Sequence, residues 1–438
     1  MKRQWRALFV LFVSSQLAAQ TPLALEEALR LARQNNLQLR RQEQKQRQAE
    51  LEVAIKNGQL LPAVDLSATA VYASELAQFD FPFVLPGGQQ PHVELHLIDR
   101  KELSIGVRQP IFTGWRLNTQ VALAKTAQAT EQTRLSLLQQ QTAYQVYLLF
   151  YQAENLKKEN QIQQTSLERL AAQLEQVRQL FRNAQALAYD TLQVFNQTLQ
   201  IGIQMEQNRR DLRLLNLQMA RLLDLPESRP LADLALPALP AAVLQPDSIK
   251  QVARQLRPEL RGVSLAQQAA QLNRKLARGN YFPEIGAEAR YYYAKPGVNP
   301  FANEWMDYAT LGMNLQWNLW RWNQDRHRMQ TAEVEFDRLL LEEQELLREI
   351  DYEIEKSWEN MQLAAQQSRL AERLLAQQQE RYRIIVTQQR EGLATTNDVI
   401  VAEADLTQAE SQVQRTLIQY YLAQTEMQLA AGVLGLSD

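Results

Sequence analysis

The sequence predicts a mainly helical chain with a small β part, built from one unit used twice. Three observations carry this. Two runs, from about Trp115 to Phe181 and from about Asn323 to Arg390, contain neither proline nor glycine, so nothing in them interrupts a helix. Four short stretches alternate apolar and polar residues with period 2, as strands with one apolar face do. The motifs of the first half also recur in the second at nearly constant spacing, which is the mark of an internal repeat.

The chain opens with Lys2, Arg3 and Arg6, continues through the apolar run Ala7 to Val13, and passes into Ser14-Ser15-Gln16-Leu17-Ala18-Ala19-Gln20. A basic start, a short apolar core and a small-residue site read as a secretory signal peptide over residues 1–19. With 0 cysteines, the exported part can hold no disulfide, no cysteine-borne lipid anchor and no thiolate metal site. Lys+Arg number 47 and Asp+Glu 49; without the three leading cations the balance is about −5, which excludes nucleic acid as a natural partner. No later run reaches the ~18 apolar residues of a membrane helix, so any membrane contact would be through strands.

The repeat is visible in aligned residues. Leu39-Arg40 falls on Leu260-Arg261, Gly58 on Gly279 and Pro62 on Pro283, a shift of 221 residues. Leu103 to Phe112 falls on Leu311 to Trp320, and Asp190 on Asp398, a shift of 208. The first copy therefore carries 13 extra residues between Pro62 and Leu103. Residues 20–225 form the first repeat: a helix from about Leu25 to Asn57, strands at about 62–75 and 102–112, and a long helical hairpin at about 115–225. Residues 226–248, punctuated by Pro226, Pro230, Pro237, Pro240 and Pro246, form a linker that cannot be continuous helix. The second repeat, 249–438, has strands at about 283–294 and 308–320 and its hairpin at about 321–436.

In "TLGMNLQWNLW", Leu311, Met313, Leu315, Trp317 and Leu319 point one way, and Gly312, Asn314, Gln316 and Asn318 the other. Val64 and Leu66, then Leu103, Ile105 and Val107, then Ile285 and Ala287, define the same apolar face in the other strands. Lipid outside and water inside demand this alternation in a membrane barrel. Aromatic residues gather at the strand ends: Tyr72, Tyr291, Tyr293, Trp305 and Tyr308 at one, Phe112, Trp115, Trp320 and Trp322 at the other. That arrangement fits an aromatic girdle. A soluble sheet packed on helices would alternate in the same way; the secretion signal and the paired aromatic ends favour the membrane. Four strands cannot close a barrel, whose smallest membrane form has about eight, so several chains must share one.

The long runs predict helices on the order of 100 Å at 1.5 Å per residue. Leu167, Leu170, Leu174 and Val177 make one seam of 3/4 spacing and Ile350, Ile354, Trp358 and Met361 another, as in coiled coils. Glutamine-rich faces such as "QQQTAYQ" suit water on the other side. Each run ends in a break, "RNAQALAYD" or "QREGLATTND", and returns as a partner helix. A solvated coiled-coil stalk or periplasmic adaptor without a pore is the competing reading of these helices.

In its order of motifs the chain resembles the TolC-type outer-membrane efflux proteins. The residues that carry this are "LALEEALRLARQNNLQLR" with "LLPAVDLSA", then "RQPIFTGWR", then "REGLATTNDVIVAEADLTQAE". The resemblance covers nearly the whole chain after the leader. It implies a homotrimer whose twelve strands form one barrel in outer-membrane lipid of a Gram-negative bacterium, continued by a periplasmic α-helical coiled-coil barrel. It implies a passive exit channel of a tripartite efflux or type I secretion system. A periplasmic adaptor would join it to an inner-membrane transporter of RND, ABC or MFS type. Carried over by position, Ala184, Leu187 and Asp190 with Gly392, Leu393, Ala394 and Asp398 would form the tips that close the channel and dock the adaptor. Asp398, Asp190, Arg390, Glu391 and Asp405 are the gate candidates. Two departures stand out. Ala184 occupies the place of Gly392, predicting a first turn with no left-handed residue. Val401 stands where some relatives carry a second acidic residue, leaving Glu403 and Asp405 as substitutes.

Asp398 also has a plain role, since Thr395 to Asp398 has the form of a capping box. Arg390 and Glu391 could link neighbouring helices. His92 and His96 in "HVELH" lack a third ligand and the spacing of a zinc motif. Serine, histidine and aspartate show no catalytic grouping and there is no glycine-rich phosphate loop, so neither an enzyme nor a cofactor is predicted.

Overall fold

The computed structural model describes residues 22–75, 77–80, 86–87, 92–95, 99–237, 245–299 and 302–435. The expected leader at 1–19, residues 238–244 of the linker and His96 lie outside them. Helices α1 (Leu25–Asn35) and α2 (Leu37–Gly58) lead to strand β1 (Ala63–Tyr72), a short pair β2 (Ala77–Asp80) and β3 (His92–Leu95), and β4 (Asp99–Phe112). Helices α3 (Arg116–Arg182) and α4 (Ala188–Leu222) follow. The second half runs α5 (Pro246–Leu256), α6 (Pro258–Gly279), β5 (Glu284–Lys295), β6 (Met306–Gln316), α7 (Gln324–Arg390) and α8 (Thr396–Ala430). Both α3 and α7 have 67 residues, and both α4 and α8 have 35. The fold is therefore mainly α with one four-stranded antiparallel sheet. His92 begins β3, which pairs antiparallel with β2.

The first helix is not continuous to Asn57. It breaks at Asn36, whose ψ of 120° is not helical. There the Asn36 side chain accepts hydrogen bonds from the backbone N–H groups of Gln38 at 2.9 Å and Leu39 at 3.1 Å, capping α2. The corresponding break falls at Arg257, before Pro258, where the proline ring disfavours helix in the preceding residue. Arg257 is 8% exposed and donates to Glu353 at 2.6 Å.

The chain divides into two compact units, one of residues to 43, 133–261 and from 344 on, the other of 44–132 and 262–343. The first is all helical apart from a parallel bridge, Leu23 to Leu231. Ala28, Leu29 and Ala32 of α1 pack with Ala143, Val146 and Phe150 of α3 and with Met219 of α4. Ile249 and Ala253 of α5 pack in the same manner with Ile350 and Ile354 of α7 and with Ile418 and Tyr421 of α8. Small residues such as Ser357, Ala364, Ser368 and Ala371 continue the buried line of α7, allowing close helix approach.

The seam of α3 differs from the expected one. Leu170 and Val177 are buried, but Leu167 and Leu174 are only half-buried. The remaining buried positions go to Gln163, Ser166 and Gln173. Their polar groups are met across the packing: Asn208 of α4 donates to Gln163 at 3.2 Å, and Gln173 donates to Gln389 of α7 at 3.0 Å. Polar contacts of this kind fix register at some cost in stability.

In the second unit the sheet order is β1-β4-β5-β6, every pair antiparallel. Register shifts between Pro110 and Phe112, where proline has no N–H for the ladder and a bulge forms. At the corner between β4 and α3, Gly114 has φ 61° and Trp115 φ 60°. A Cβ on Gly114 would stand 2.5 Å from the carbonyl oxygen of Gly279, so only glycine allows these backbones to cross. Trp322 and Asn323 repeat the left-handed pair before α7, with φ 48° and 60°.

The cap at Asn36 generates a prediction. Its side chain also donates to the Leu222 carbonyl at 2.9 Å, so Asn36→Ala loses three hydrogen bonds of a buried residue. We expect a loss of about 1–2 kcal/mol in urea unfolding followed by helical circular dichroism, and no change for the exposed Gln38→Ala.

Candidate functional site

Two regions hold the residues singled out by the sequence: the faces of the sheet and the turns between the long helices. In the sheet, paired residues share a face. Val64 opposes Val107 and Leu66 opposes Ile105; Ile105 opposes Tyr291 and Leu103 opposes Tyr293; Ile285, Ala287 and Ala289 oppose Leu315, Met313 and Leu311. One face is thus apolar across all four strands, and it is bare: Leu66 is 72% and Leu311 84% exposed. The opposite face carries Asp65, Ser67, Ser104, Gly106, Arg108, Glu288, Arg290, Thr310, Gly312 and Asn314. Its charges are paired, with Arg290 on Asp65 at 2.7 Å and Arg108 near Glu288 at 3.7 Å.

Two expectations for the strands are corrected. Trp317, Leu319 and Trp320 lie beyond the end of β6 at Gln316. Among the described residues the only neighbour of β6 is β5, which begins at Glu284 after Pro283, so no ladder partner is found past Gln316. Trp317 instead donates its indole N–H to the Tyr281 carbonyl at 3.1 Å. Tyr308 opposes Tyr292 and stacks on it at 4.8 Å; both belong to the polar face, opposite to Tyr291 and Tyr293. At the other end, Phe112, Trp115 and Phe282 meet edge to face, Phe112 and Trp115 at 5.1 Å. Tyr72, the last residue of β1, is 79% exposed.

At the turns, both long helices end in the same way. The N–H of Gln185 reaches the Leu180 carbonyl at 2.8 Å, and that of Leu393 reaches Gln388 at 2.8 Å. The N–H groups of Ala184 and Gly392 bond to Phe181 and Gln389 at 3.0 and 3.1 Å. This is the Schellman arrangement, which needs a left-handed residue in its turn. Gly392 has φ 78°, and Ala184 has φ 58°. The expectation that alanine marks a turn without left-handed backbone is therefore wrong: the hydrogen bonds impose the conformation and alanine bears the strain.

The return helices start with an aspartate in each case. Asp190 accepts the Leu187 N–H at 2.8 Å. Asp398 accepts the Thr395 N–H at 2.8 Å, and Thr395 accepts the Asp398 N–H at 3.2 Å, a complete capping box. Hydrogen bonds from the Thr395 side chain and backbone hold the exposed Asp398 carboxyl below the usual carboxylate range. Leu187 and Leu393 are bare, 69% and 75% exposed, while Ala394 is half-buried. Arg390 and Glu391 are exposed and, among the described residues, have no ion-pair partner within the chain.

Glu403 is not available as a second ring of free carboxylates. It is 1% exposed and turned into the helix packing. Ser166 donates to it at 2.6 Å, Thr407 at 2.8 Å and Arg169 at 3.1 Å. Arg169 also donates to Glu410 through its two terminal guanidinium nitrogens, at 3.1 and 3.0 Å. Asp405 is ion-paired with Arg381 of α7. The network was illegible in sequence because its members are 234 and 241 residues apart.

These contacts set two expectations. Ala184→Gly relieves left-handed strain and should stabilise by about 1 kcal/mol, while Gly392→Ala, which meets no atom within 4 Å, should cost about as much. Equal effects of the same sign in thermal unfolding would refute the backbone argument. Arg169→Ala strands a buried carboxylate and should destabilise by about 3–5 kcal/mol, whereas Arg169→Met combined with Glu403→Leu should recover most of the loss.

Among the described residues no helix is long and apolar enough to cross a membrane. Residues 249–433 match the model of a family described as outer membrane efflux protein. No curated protein sequence matches the chain. Solved structures do. The outer-membrane channel OprN superposes with a TM-score of 0.78 over 94% of this chain and 90% of its own, at 16% identity. The outer membrane protein VceC from Vibrio cholerae gives 0.77 over 94% and 97%, at 14% identity. The CmeC outer membrane channel of Campylobacter jejuni gives 0.76 over 94% and 87%, at 13% identity. The chain has the fold of these channels, and its residues 249–433 are similar to the outer membrane efflux protein family.

Proposed function

We propose that this protein is a passive exit channel in the outer membrane of a Gram-negative bacterium, working in a tripartite efflux or secretion system. The observation that carries the reading is the sheet: four strands, one face apolar and bare, the other polar with its charges paired, and both edges open among the described residues. Such a sheet is satisfied when copies join edge to edge, β1 of one on β6 of the next, to close a barrel with lipid outside and water inside. Three copies give twelve strands, the number the family resemblance implies. Val64, Leu66, Leu103, Ile105, Val107, Ile285, Ala287, Leu311, Met313 and Leu315 then face lipid.

The two repeats, 20–225 and 249–438, each supply one pair of barrel strands and one long helical hairpin. Those hairpins continue the duct into the periplasm, and their turns, Ala184 to Asp190 and Gly392 to Asp398, meet an adaptor that leads to an inner-membrane transporter. Bare Leu187 and Leu393 suit apolar contact with such a partner. Asp398 caps α8 and, brought together in three copies, faces its own kind at the closed end. The competing reading, a soluble stalk, leaves the bare apolar face of the sheet without a purpose.

Reconstitution tests this. The purified chain should run at trimer mass in native mass spectrometry and conduct ions in planar lipid bilayers. Met313→Arg or Leu315→Arg should block outer-membrane assembly, at roughly 2–4 kcal/mol per midplane charge, while Asn314→Arg on the polar face should be tolerated. Equal tolerance on both faces, or a monomer that does not conduct, would sink the channel.

A further inference from the structure

The polar face of the sheet carries one cation that is held unlike the others. Arg290 of β5 is 11% exposed although it stands on a bare face. Its Nε donates to Glu288 at 3.1 Å, one terminal nitrogen to the Ser104 hydroxyl at 3.2 Å, and the other to Asp65 at 2.7 Å. Asp65 lies two strands away, on β1 beyond β4. The guanidinium reaches it by lying flat across β4, over the residue directly opposite Arg290 in the register, which is Gly106. A Cβ on Gly106 would stand 2.6 Å from the guanidinium carbon. Gly106 has no left-handed φ to explain it, and glycine inside a strand weakens it. Its use here is the seat it leaves.

We propose that Gly106 and Arg290 set the electrostatic character of the channel wall, keeping a cation pressed against the backbone and neutralised by Asp65 and Glu288. This rests on the reading of the polar face as the lumen of a barrel. The wall then presents no free arginine at this level, and solutes of either charge pass it on similar terms. In a threefold barrel the site occurs three times at one height, so releasing the arginine would place a ring of three cations in the lumen, where low-dielectric walls enhance their field. The contacting atom at Gly106 is the far end of a flexible side chain. Filling the seat should therefore move the arginine and leave the strand in place.

A chain with 0 cysteines allows a direct test. Thr310 is paired with Arg290 on β6 and is exposed on the same face. Thr310→Cys, in the full-length chain in lipid vesicles, is reacted with two membrane-impermeant methanethiosulfonates, one bearing a sulfonate and one a trimethylammonium group. The ratio of their rates reads the local potential. Gly106→Ala should raise the anionic-to-cationic ratio by about threefold or more, and Asp65→Asn, which leaves the seat untouched, should raise it as well. Adding Arg290→Gln to Gly106→Ala should abolish the rise. Gly312→Ala, a polar-face glycine with nothing within 4 Å, should leave the ratio unchanged. An unchanged ratio in Gly106→Ala, or a rise that survives Arg290→Gln, overturns the proposal. Failure of the lumen reading looks different: Thr310→Cys would be unreactive, or Leu311→Cys on the apolar face would react equally fast from water.

Discussion

The sheet has two edges, and the rest of the molecule is arranged around that fact. Along β1 and β6, the backbone groups that face away from β4 and β5 find no ladder partner among the described residues. Water would satisfy them, but an apolar face as bare as the one carrying Leu66, Leu311 and Met313 is at odds with water. Lipid would accept the face but charges several kcal/mol for each unpaired backbone group. Neither solvent suits a single chain. In the proposed assembly strand pairing between chains meets both demands at once, and the register of the interior strands keeps most apolar residues on one side.

The helices answer a different constraint. A helix of 67 residues cannot be held by one hydrophobic cluster, and an unbroken leucine seam would permit sliding by a turn. Here apolar clusters at α1 and α5 alternate with polar contacts deeper along the packing, such as Gln163 with Asn208 and Gln173 with Gln389. Each polar contact works at one register only, because a shifted helix would leave a buried amide unpaired. The Schellman turns and aspartate caps then fix where each hairpin reverses.

Much of this was legible in the residues. Long runs free of glycine and proline mark α3 and α7 to within a residue or two, because nothing local competes with helix there. The two-residue alternation marks the faces of β1, β4, β5 and β6. What escaped depends on partners. The end of β6 at Gln316 is decided by where β5 begins, not by its own pattern, which alternates through Leu319. The Asn36 and Arg257 breaks hide inside helical periodicity. Ala184 misled because propensity speaks for the isolated residue, whereas the turn is imposed by hydrogen bonds on either side. Among site residues, Asp398 was readable as a cap from Thr395 alone. The burial of Glu403 was not, since it requires knowing that α3 lies beside α8.

The two halves match in helix length but not in chemistry. Arg169, Glu403 and Glu410 have Gln377, Phe195 and Gly202 as their counterparts in the other half of the chain. The ion network therefore exists once per chain, and the equivalent stretch of α4 offers Phe195, Leu199 and Ile203 to the outside. A ring assembled from such chains would alternate two kinds of seam, one ionic and one oily. Salt, which screens the first, leaves the second largely untouched, and cooling weakens the second more than the first. The duct would thus have two independent sets of joints, each answering to a different property of its surroundings.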